Sequence, residues 1–409
     1  MAKDVNPARG MRDFLPSEKL KRDQVLAMIR VTYAAHGFQE IETPALEDLD
    51  RLTSGQGGDN EKLAFRVMKR GDELEKALGS TSTDELADLG LRYDLTVPLT
   101  RYYATNRAKL PKVFKAIQAG PVWRAERPQK GRYRQFMQCD IDIIGDSSEL
   151  AEIDLLASSL DALDRIGLSN ATIRVNHRQL LLNLLEGLGV PASGRPSAMI
   201  IIDKLDKIFA EGVVAELGEK FGAKVSEAAA GWLATLKSDL EVPSELQNIF
   251  AAVESHFGKG RLRFDPTLVR GMGYYTGPIF EIEHPESGSS IGGGGRYDGM
   301  VGRFTGEEVP AVGISIGFER AVELVPDDKI FPFPSNLVLV LESDDSSIVA
   351  NALALQPALF EHGYTVRLEL RPKKLNLLLD ALAEQGFSHF ALVGVDTTTM
   401  ENLDIKPIA

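Results

Sequence analysis

Apolar residues recur at helical spacing after Ser17, where Leu26, Ile29 and Tyr33 fall on one face. Ser17 is placed to cap the helix they predict. Gly37 to Glu47 reads as a turn leading into a strand, and Leu91 to Thr96 and Val113 to Arg127 read as further strands. Between Gln135 and Gly145 the pattern becomes that of a strand carrying Phe136, Cys139, Ile141 and Ile143. A helix follows, with Ile153, Leu156, Leu160 and Leu163 along one side and Gly167 to end it.

From Thr172 to Phe264 the pattern is mostly helical and lacks the arginine and glycine clusters on either side. It predicts an inserted domain, 172–264, within a core assembled from residues 1–171 and 265–330. Sheet signals return at Leu268 to Ile282, Gly288 to Gly299 reads as a glycine-rich turn between strands, and Val312 to Leu324 as a strand running into a helix. The proline-rich Phe331 to Asn336 reads as a linker. Beyond it, residues 336–409 alternate strand and helix, predicting a small βαβαβ domain with a partly parallel sheet. Pro357 is expected to break or kink its first helix.

With 409 residues and 44% hydrophobic content, the chain holds apolar material for two or three domains. It has no run of 18 apolar residues, and its first twenty lack the apolar centre of a signal peptide. A cytoplasmic protein without membrane association is expected. A lone cysteine, Cys139, excludes an internal disulfide, and six histidines without CxxC or HxxxH pairing exclude an ordinary structural zinc site. Any metal would arrive with a substrate.

The net charge of −13 runs against nucleic-acid binding, yet charge is clustered. Arg124, Arg127, Lys130, Arg132 and Arg134 set five cations against one acid, Glu126, within eleven residues. On a predicted hairpin, such guanidinium groups suit bidentate contact with phosphate. Alternation places Gln138, Asp140 and Asp142 on one face of the returning strand. No GxxxxGK[ST] occurs, so a nucleotide site here is not a P-loop. The run Gly292 to Gly295 serves a tight turn as readily as a ligand.

Arg124-Ala-Glu126, followed by the run from Arg127 to Phe136, resembles the second signature motif of class II aminoacyl-tRNA synthetases in the form found in the histidine–tRNA ligase family. Ala8 to Pro16 resembles that family's N-terminal signature, and Leu268 to Glu281 its histidine-specific motif. Gly292 to Gly299 and Val312 to Leu324 complete the set, the latter resembling motif 3. The resemblance covers essentially the whole chain and weakens only after Gly394.

It implies an α+β fold with a class II antiparallel sheet flanked by helices, a helical insertion, a C-terminal anticodon-binding domain and a homodimer built around Gly37 to Glu47. It also implies two chemical steps: the histidine carboxylate attacks the α-phosphate of ATP, brought with Mg2+, and the acyl group then passes to histidine tRNA. Arg124 and Arg270 are the implied catalytic cations, at the carboxylate and α-phosphate, with Arg320 at the γ-phosphate. Phe136 would stack on adenine beside Glu126, with Arg132 and Tyr133 completing the ATP site. For L-histidine, the resemblance implies ammonium acceptors at Asp94, Thr96 and Gln138, imidazole partners at Asp142, Tyr275 and Tyr297, and further contacts from Arg124, Arg270 and Tyr274. Arg127, Gln129 and Lys130 would meet the tRNA acceptor end.

Two departures stand out. Gly273 replaces an aspartate frequent in this signature, removing a carboxylate near Arg270, which is expected to loosen that side chain. From Asn336 onward, ten acids face five bases, a net of −5 on an implied tRNA-binding domain. Two rival readings share the core: a histidine-activating paralogue with a non-tRNA acceptor, and the non-catalytic histidine-sensing regulatory subunit of ATP phosphoribosyltransferase. The presence of Arg124, Arg270 and Arg320 argues against the second.

Overall fold

The computed structural model describes residues 5–53, 63–80, 82–127, 133–236, 240–270, 274–331 and 336–408. The chain divides into two compact units, Met1–Lys329 and Ile330–Ala409.

The strands of the first unit are β1 (Gln39–Glu40), β2 (Leu46–Asp48), β3 (Arg66–Met68), β4 (Ala87–Leu91), β5 (Phe114–Trp123), β6 (Gln135–Ile144), β7 (Thr172–His177), β8 (Leu262–Phe264), β9 (Pro278–Glu283), β10 (Gly292–Arg296) and β11 (Ala311–Gly317). Eight of them form one sheet in the order β1-β5-β6-β11-β10-β9-β7-β8, while β2, β4 and β3 form a small second sheet. The large sheet is antiparallel from β5 to β7; only its edge pairs, β1 with β5 and β7 with β8, run parallel.

Alternation along β6 divides the chemistry of its two faces. Cys139, Ile141 and Ile143 are buried on the side packed by the helices Pro16–Ala35 and Leu150–Arg165, whose Ile29, Tyr33, Leu156 and Leu160 are fully buried. Gln138, Asp140 and Asp142 face the opposite way, as the period-two pattern dictates. That side is closed at one end by an apolar cluster in which Val97 and Leu99, from the helix Thr96–Asn106, meet Ala116, Tyr297 and Val301. The remainder is polar.

Several elements differ from the sequence reading. Ser17 is not the cap of the first helix. The helix begins at Pro16, and the Leu15 amide donates to the Glu18 carboxylate (3.0 Å), so an acid inside the first turn satisfies the free donor. Leu91 to Thr96 is not a strand: β4 ends at Leu91 and Thr96 opens a helix. Among the described residues of Leu268 to Ile282 only the end, β9, is strand, while Leu268 and Val269 are buried with the helical segment. The glycine run is not a turn but β10, paired on both sides. Its lack of side chains admits groups from neighbouring elements.

The expected insertion 172–264 narrows as well. β7 and β8 are strands of the large sheet, and the helix Ser244–Phe257 packs on Leu150–Arg165. The helices Arg178–Gly187, Arg195–Ile202, Leu205–Phe221 and Ala223–Thr235 bury a core around Leu185, Ile202, Val213 and Leu217 that Leu268, Val269 and Ile279 also enter.

In the second unit β12 (Asn336–Leu341) lies between β13 (Thr365–Leu370) and β14 (His389–Val393), parallel to both, and β15 (Lys406–Pro407) adds an antiparallel edge. This is the expected βαβαβ alternation. Pro357, however, does not end its helix, which runs from Ser346 to Glu361. Pro357 lies on the exposed side, where its carbonyl and amide neighbours can turn to water.

Candidate active site

The polar face of the large sheet is organised by register into rows running across the strands. In the first row Ala116, Asp142, Gly313 and Gly295 stand side by side. The two glycines make room for side chains. A Cβ at Gly313 would lie 1.9 Å from Asp142 Oδ1, and one at Gly295 would lie 3.0 Å from the Tyr275 ring. Tyr297 Oη donates to Asp142 Oδ1 (2.6 Å), and the Tyr274 and Tyr275 rings pack at a tilt with centroids 4.4 Å apart. Asp142 Oδ2 is buried without a hydrogen-bond partner.

The next row runs Gln118, Asp140, Ser315, Gly293, Glu281 and Arg174. Over the bare backbone of Gly293 lies the Arg270 guanidinium, 2.5 Å from where a Cβ would be. Arg270 Nη1 donates to Glu281, to Gly292 O (3.1 Å) and to Ser290 Oγ (3.3 Å). Arg320 Nη1 donates to Ser290 O. The Ser290 loop therefore brings Arg270 and Arg320 together.

A third row pairs Gly120, Gln138 and Gly317. Gln138 Nε2 donates to Ser315 Oγ (3.3 Å), leaving its Oε1 buried and unpartnered, as is Asp140 Oδ1. Gln138, Asp140 and Asp142 thus each present an unmet acceptor on alternate residues of β6. A buried acceptor without a donor costs about 1–3 kcal/mol, which a ligand carrying N–H groups would recover.

Beside these rows, Asp94 accepts the Val97 amide (3.1 Å) at the start of the helix that Thr96 opens. Arg124 Nε donates to Tyr93 O (3.0 Å), and its guanidinium carbon lies 5.0 Å from the Phe136 ring centroid. Glu126 is half-buried and its carbonyl accepts from Arg134 Nε (3.0 Å). Tyr133 Oη accepts from Arg12 Nη1 (3.1 Å). Arg127 is exposed, whereas Gln129, Lys130, Arg132 and Gly273 lie outside the described residues.

Burial pushes the Asp94 carboxyl up to about 6, although the Val97 amide and Arg124 pull it down. Burial raises Asp142 to about 7 against the Tyr297 hydroxyl, with Asp94 adding to the rise. Asp140 is driven well above the ordinary carboxylate range by burial and then by Asp142. Three acids that resist ionisation favour a cationic ligand beside them.

Sequence reasoning passed over four contributors. Asp140 was placed on the right face but given no role. Glu281, Ser290 and Glu319 were not singled out. Glu319 is a buried hub: it accepts from Arg22 Nη1 (2.6 Å) and Nη2 (2.8 Å), from Arg12, and from the Met137 amide (3.0 Å). It ties the N-terminal segment to the strand after the basic loop, immediately beside Arg320. The adjacency of Glu319 to Arg320 was the available signal. The expected loosening of Arg270 also needs correction, because Glu281 supplies a carboxylate from the neighbouring strand.

The family model described as histidyl-tRNA synthetase matches residues 10–321. A histidine–tRNA ligase of Leifsonia xyli subsp. xyli is 51% identical over an alignment of 435 residues spanning 100% of this chain and 99% of that protein. The crystal structure of histidyl-tRNA synthetase from Nostoc sp. PCC 7120 superposes with a TM-score of 0.76 at 29% identity, covering 95% of this chain and 91% of that one. A Bacillus halodurans protein titled as an ATP phosphoribosyltransferase regulatory subunit/histidyl-tRNA synthetase shares the fold, with a TM-score of 0.72 at 19% identity over 96% of this chain and 98% of that one. The chain belongs to the histidyl-tRNA synthetase family.

Proposed function

We propose that this protein ligates L-histidine to histidine tRNA in two steps. A histidine carboxylate oxygen bonds to the α-phosphorus of ATP as the bond to the bridging oxygen breaks, giving histidyl-adenylate and pyrophosphate. A hydroxyl of the tRNA's terminal adenosine then takes the acyl group and AMP leaves. The observation carrying this reading is the face of β6, where Gln138, Asp140 and Asp142 form a column of unmet acceptors, with Arg270 lying over Gly293 in the row of Asp140 and Arg124 following directly on the end of β5.

Asp94, Thr96 and Gln138 receive the histidine ammonium. Asp142, held by Tyr297, and Tyr275 address the two imidazole nitrogens, with Tyr274 packed against Tyr275. A pocket of buried polar partners rejects apolar analogues by about 10⁴ or more, because those groups would remain unpaired. Arg124 bridges the carboxylate and α-phosphate, Arg270 stabilises the charge growing on that phosphate, and Arg320 holds the γ-phosphate together with substrate-borne Mg2+. Phe136 stacks on adenine, Glu126 meets its amino group, and Tyr133 and Arg132 complete the nucleotide site. Arg127, Gln129 and Lys130 receive the acceptor end.

The working form is a homodimer joined around residues 37–47, acting in the cytoplasm, with residues 336–409 as the anticodon-binding domain and a helical insertion beside the core. Among the described residues no helix is long and apolar enough to cross a membrane.

Histidine-dependent exchange of pyrophosphate into ATP tests the first step, and charging of histidine tRNA tests the second. Exchange without charging would favour an acceptor other than tRNA, and absence of exchange would refute the reading. Arg270→Ala is expected to lower the exchange rate by at least about 10², the effect of removing a preorganised charge at a transition state.

A further inference from the structure

Arg270 is the only cation whose guanidinium lies over the glycine gap in the middle row, and its orientation has an identifiable source among the described residues. All three of its hydrogen bonds to described residues run through Nη1, to Glu281, Ser290 and Gly292. Its Nε and Nη2 make no hydrogen bond to any described residue. One corner of the planar fork is thus pinned to the protein while the other nitrogens are left for a ligand.

Of the three acceptors only Glu281 carries charge, so it sets the strongest restraint. Glu281 is itself held. Its Oε2 faces Arg270, while its Oε1 accepts from Arg174 Nη1 (3.0 Å) in the neighbouring strand. Arg174 is fixed independently, by Asp265 through Nε (2.7 Å) and Nη2 (2.6 Å) and by Glu283 (3.1 Å). The anchoring runs in one direction, from an arginine bound by three carboxylates through one of them to an arginine with a single charged partner among the described residues.

We infer that Glu281 is a positioning residue for adenylate formation: through Arg174 and its own two oxygens it fixes Arg270 at the angle the α-phosphate requires. The inference rests on the assignment of Arg270 to the α-phosphate. Glu281→Gln removes the charge facing Arg270, yet Arg174 keeps both other carboxylates. The substitution therefore disturbs Arg270 selectively.

The test measures histidine-dependent pyrophosphate exchange for Glu281→Gln, Arg270→Ala and the double variant. Weakening a charge-assisted restraint to a neutral one should lower kcat by about tenfold in Glu281→Gln, with KM for histidine and ATP within about twofold. Arg270→Ala should fall at least about 10²-fold, and the double variant should be no worse than Arg270→Ala alone. If Arg270→Ala is crippled while Glu281→Gln keeps its kcat, the positioning role is overturned and the Arg270 assignment stands. Losses that multiply in the double variant would show that Glu281 acts by another route, which also overturns it. A normal rate in Arg270→Ala overturns both. Should Glu281→Gln fail to fold, Glu281→Asp keeps the charge but shortens its reach by one methylene, which loosens Arg270 while Arg174 retains Asp265 and Glu283. Full kcat in that variant overturns the proposal.

Discussion

Asp142 illustrates how a single side chain is shaped for a ligand at the expense of the empty protein. Its Oδ1 takes the Tyr297 hydroxyl, its Oδ2 has no partner, and burial lifts its pKa to about 7. Because the folded value lies above the unfolded one, the associated stability is complete below pH ~4 and is lost as pH rises through about 7. Asp142→Asn cannot ionise and escapes that loss. Its melting temperature, relative to the parent, should climb between those pH values and level off above them, while its histidine affinity drops. Parallel melting curves across the whole range would refute the shifted pKa. Asp140 Oδ1 and Gln138 Oε1 on the same strand are likewise buried without partners, so the cost of unmet acceptors is spread along β6.

At the level of elements, the glycines of β10 and the helix after it do different jobs despite adjoining in sequence. A Cβ at Gly293 would lie 2.5 Å from Arg270 Nη1 and 2.7 Å from Phe280 O, whereas one at Gly299, on the exposed side of the helix Asp298–Thr305, meets nothing within 4 Å. Gly293→Ala should therefore displace Arg270 and cost about 1–3 kcal/mol of stability as overpacking does. Gly299→Ala should leave exchange unchanged and add about 0.5–1 kcal/mol to stability through helix propensity. Paired melting and exchange measurements separate the two, and an active Gly293→Ala would mean Arg270 has other room. Pro357 is the converse case. Its helix is continuous but lacks one amide donor, so Pro357→Ala should stabilise the second unit by about 1–3 kcal/mol, read from its denaturant midpoint.

For the whole molecule, the two compact units bury separate cores, one of them around Leu339, Leu355 and Ala391 in the second unit. The second unit is also acidic, with ten acids against five bases from Asn336 onward. Such a unit contributes little phosphate-driven affinity, so the anticodon-binding role proposed for it would rest on specific contacts. A chain ending at Lys329 should keep histidine-dependent exchange within about tenfold, as expected for an independently folded unit, and charge tRNA more slowly. Loss of exchange in a truncated protein that still melts cooperatively would show that adenylation depends on the second unit.

Much of this was written in local pattern. Period-two alternation placed Gln138, Asp140 and Asp142 on one face of β6, and the strand-to-helix reading of Val312 to Leu324 matches β11 and the helix Phe318–Leu324, because both depend on nearest neighbours in the chain. The motifs likewise indicated Arg124, Arg270 and Arg320 as a set. Local pattern could not tell a glycine turn from a glycine strand, since that difference lies in the partners β9 and β11. Nor could it supply Tyr297 for Asp142 or Arg22 for Glu319, which are distant in the chain, or Glu281 for Arg270, whose meeting depends on β9 pairing beside the glycines of β10. The sequence by itself determined which chemical groups the protein carries and on which face of each strand they stand. Tertiary structure alone decided which of them meet, because contact between strands is set by sheet order and register, and neither is encoded in the spacing along one strand.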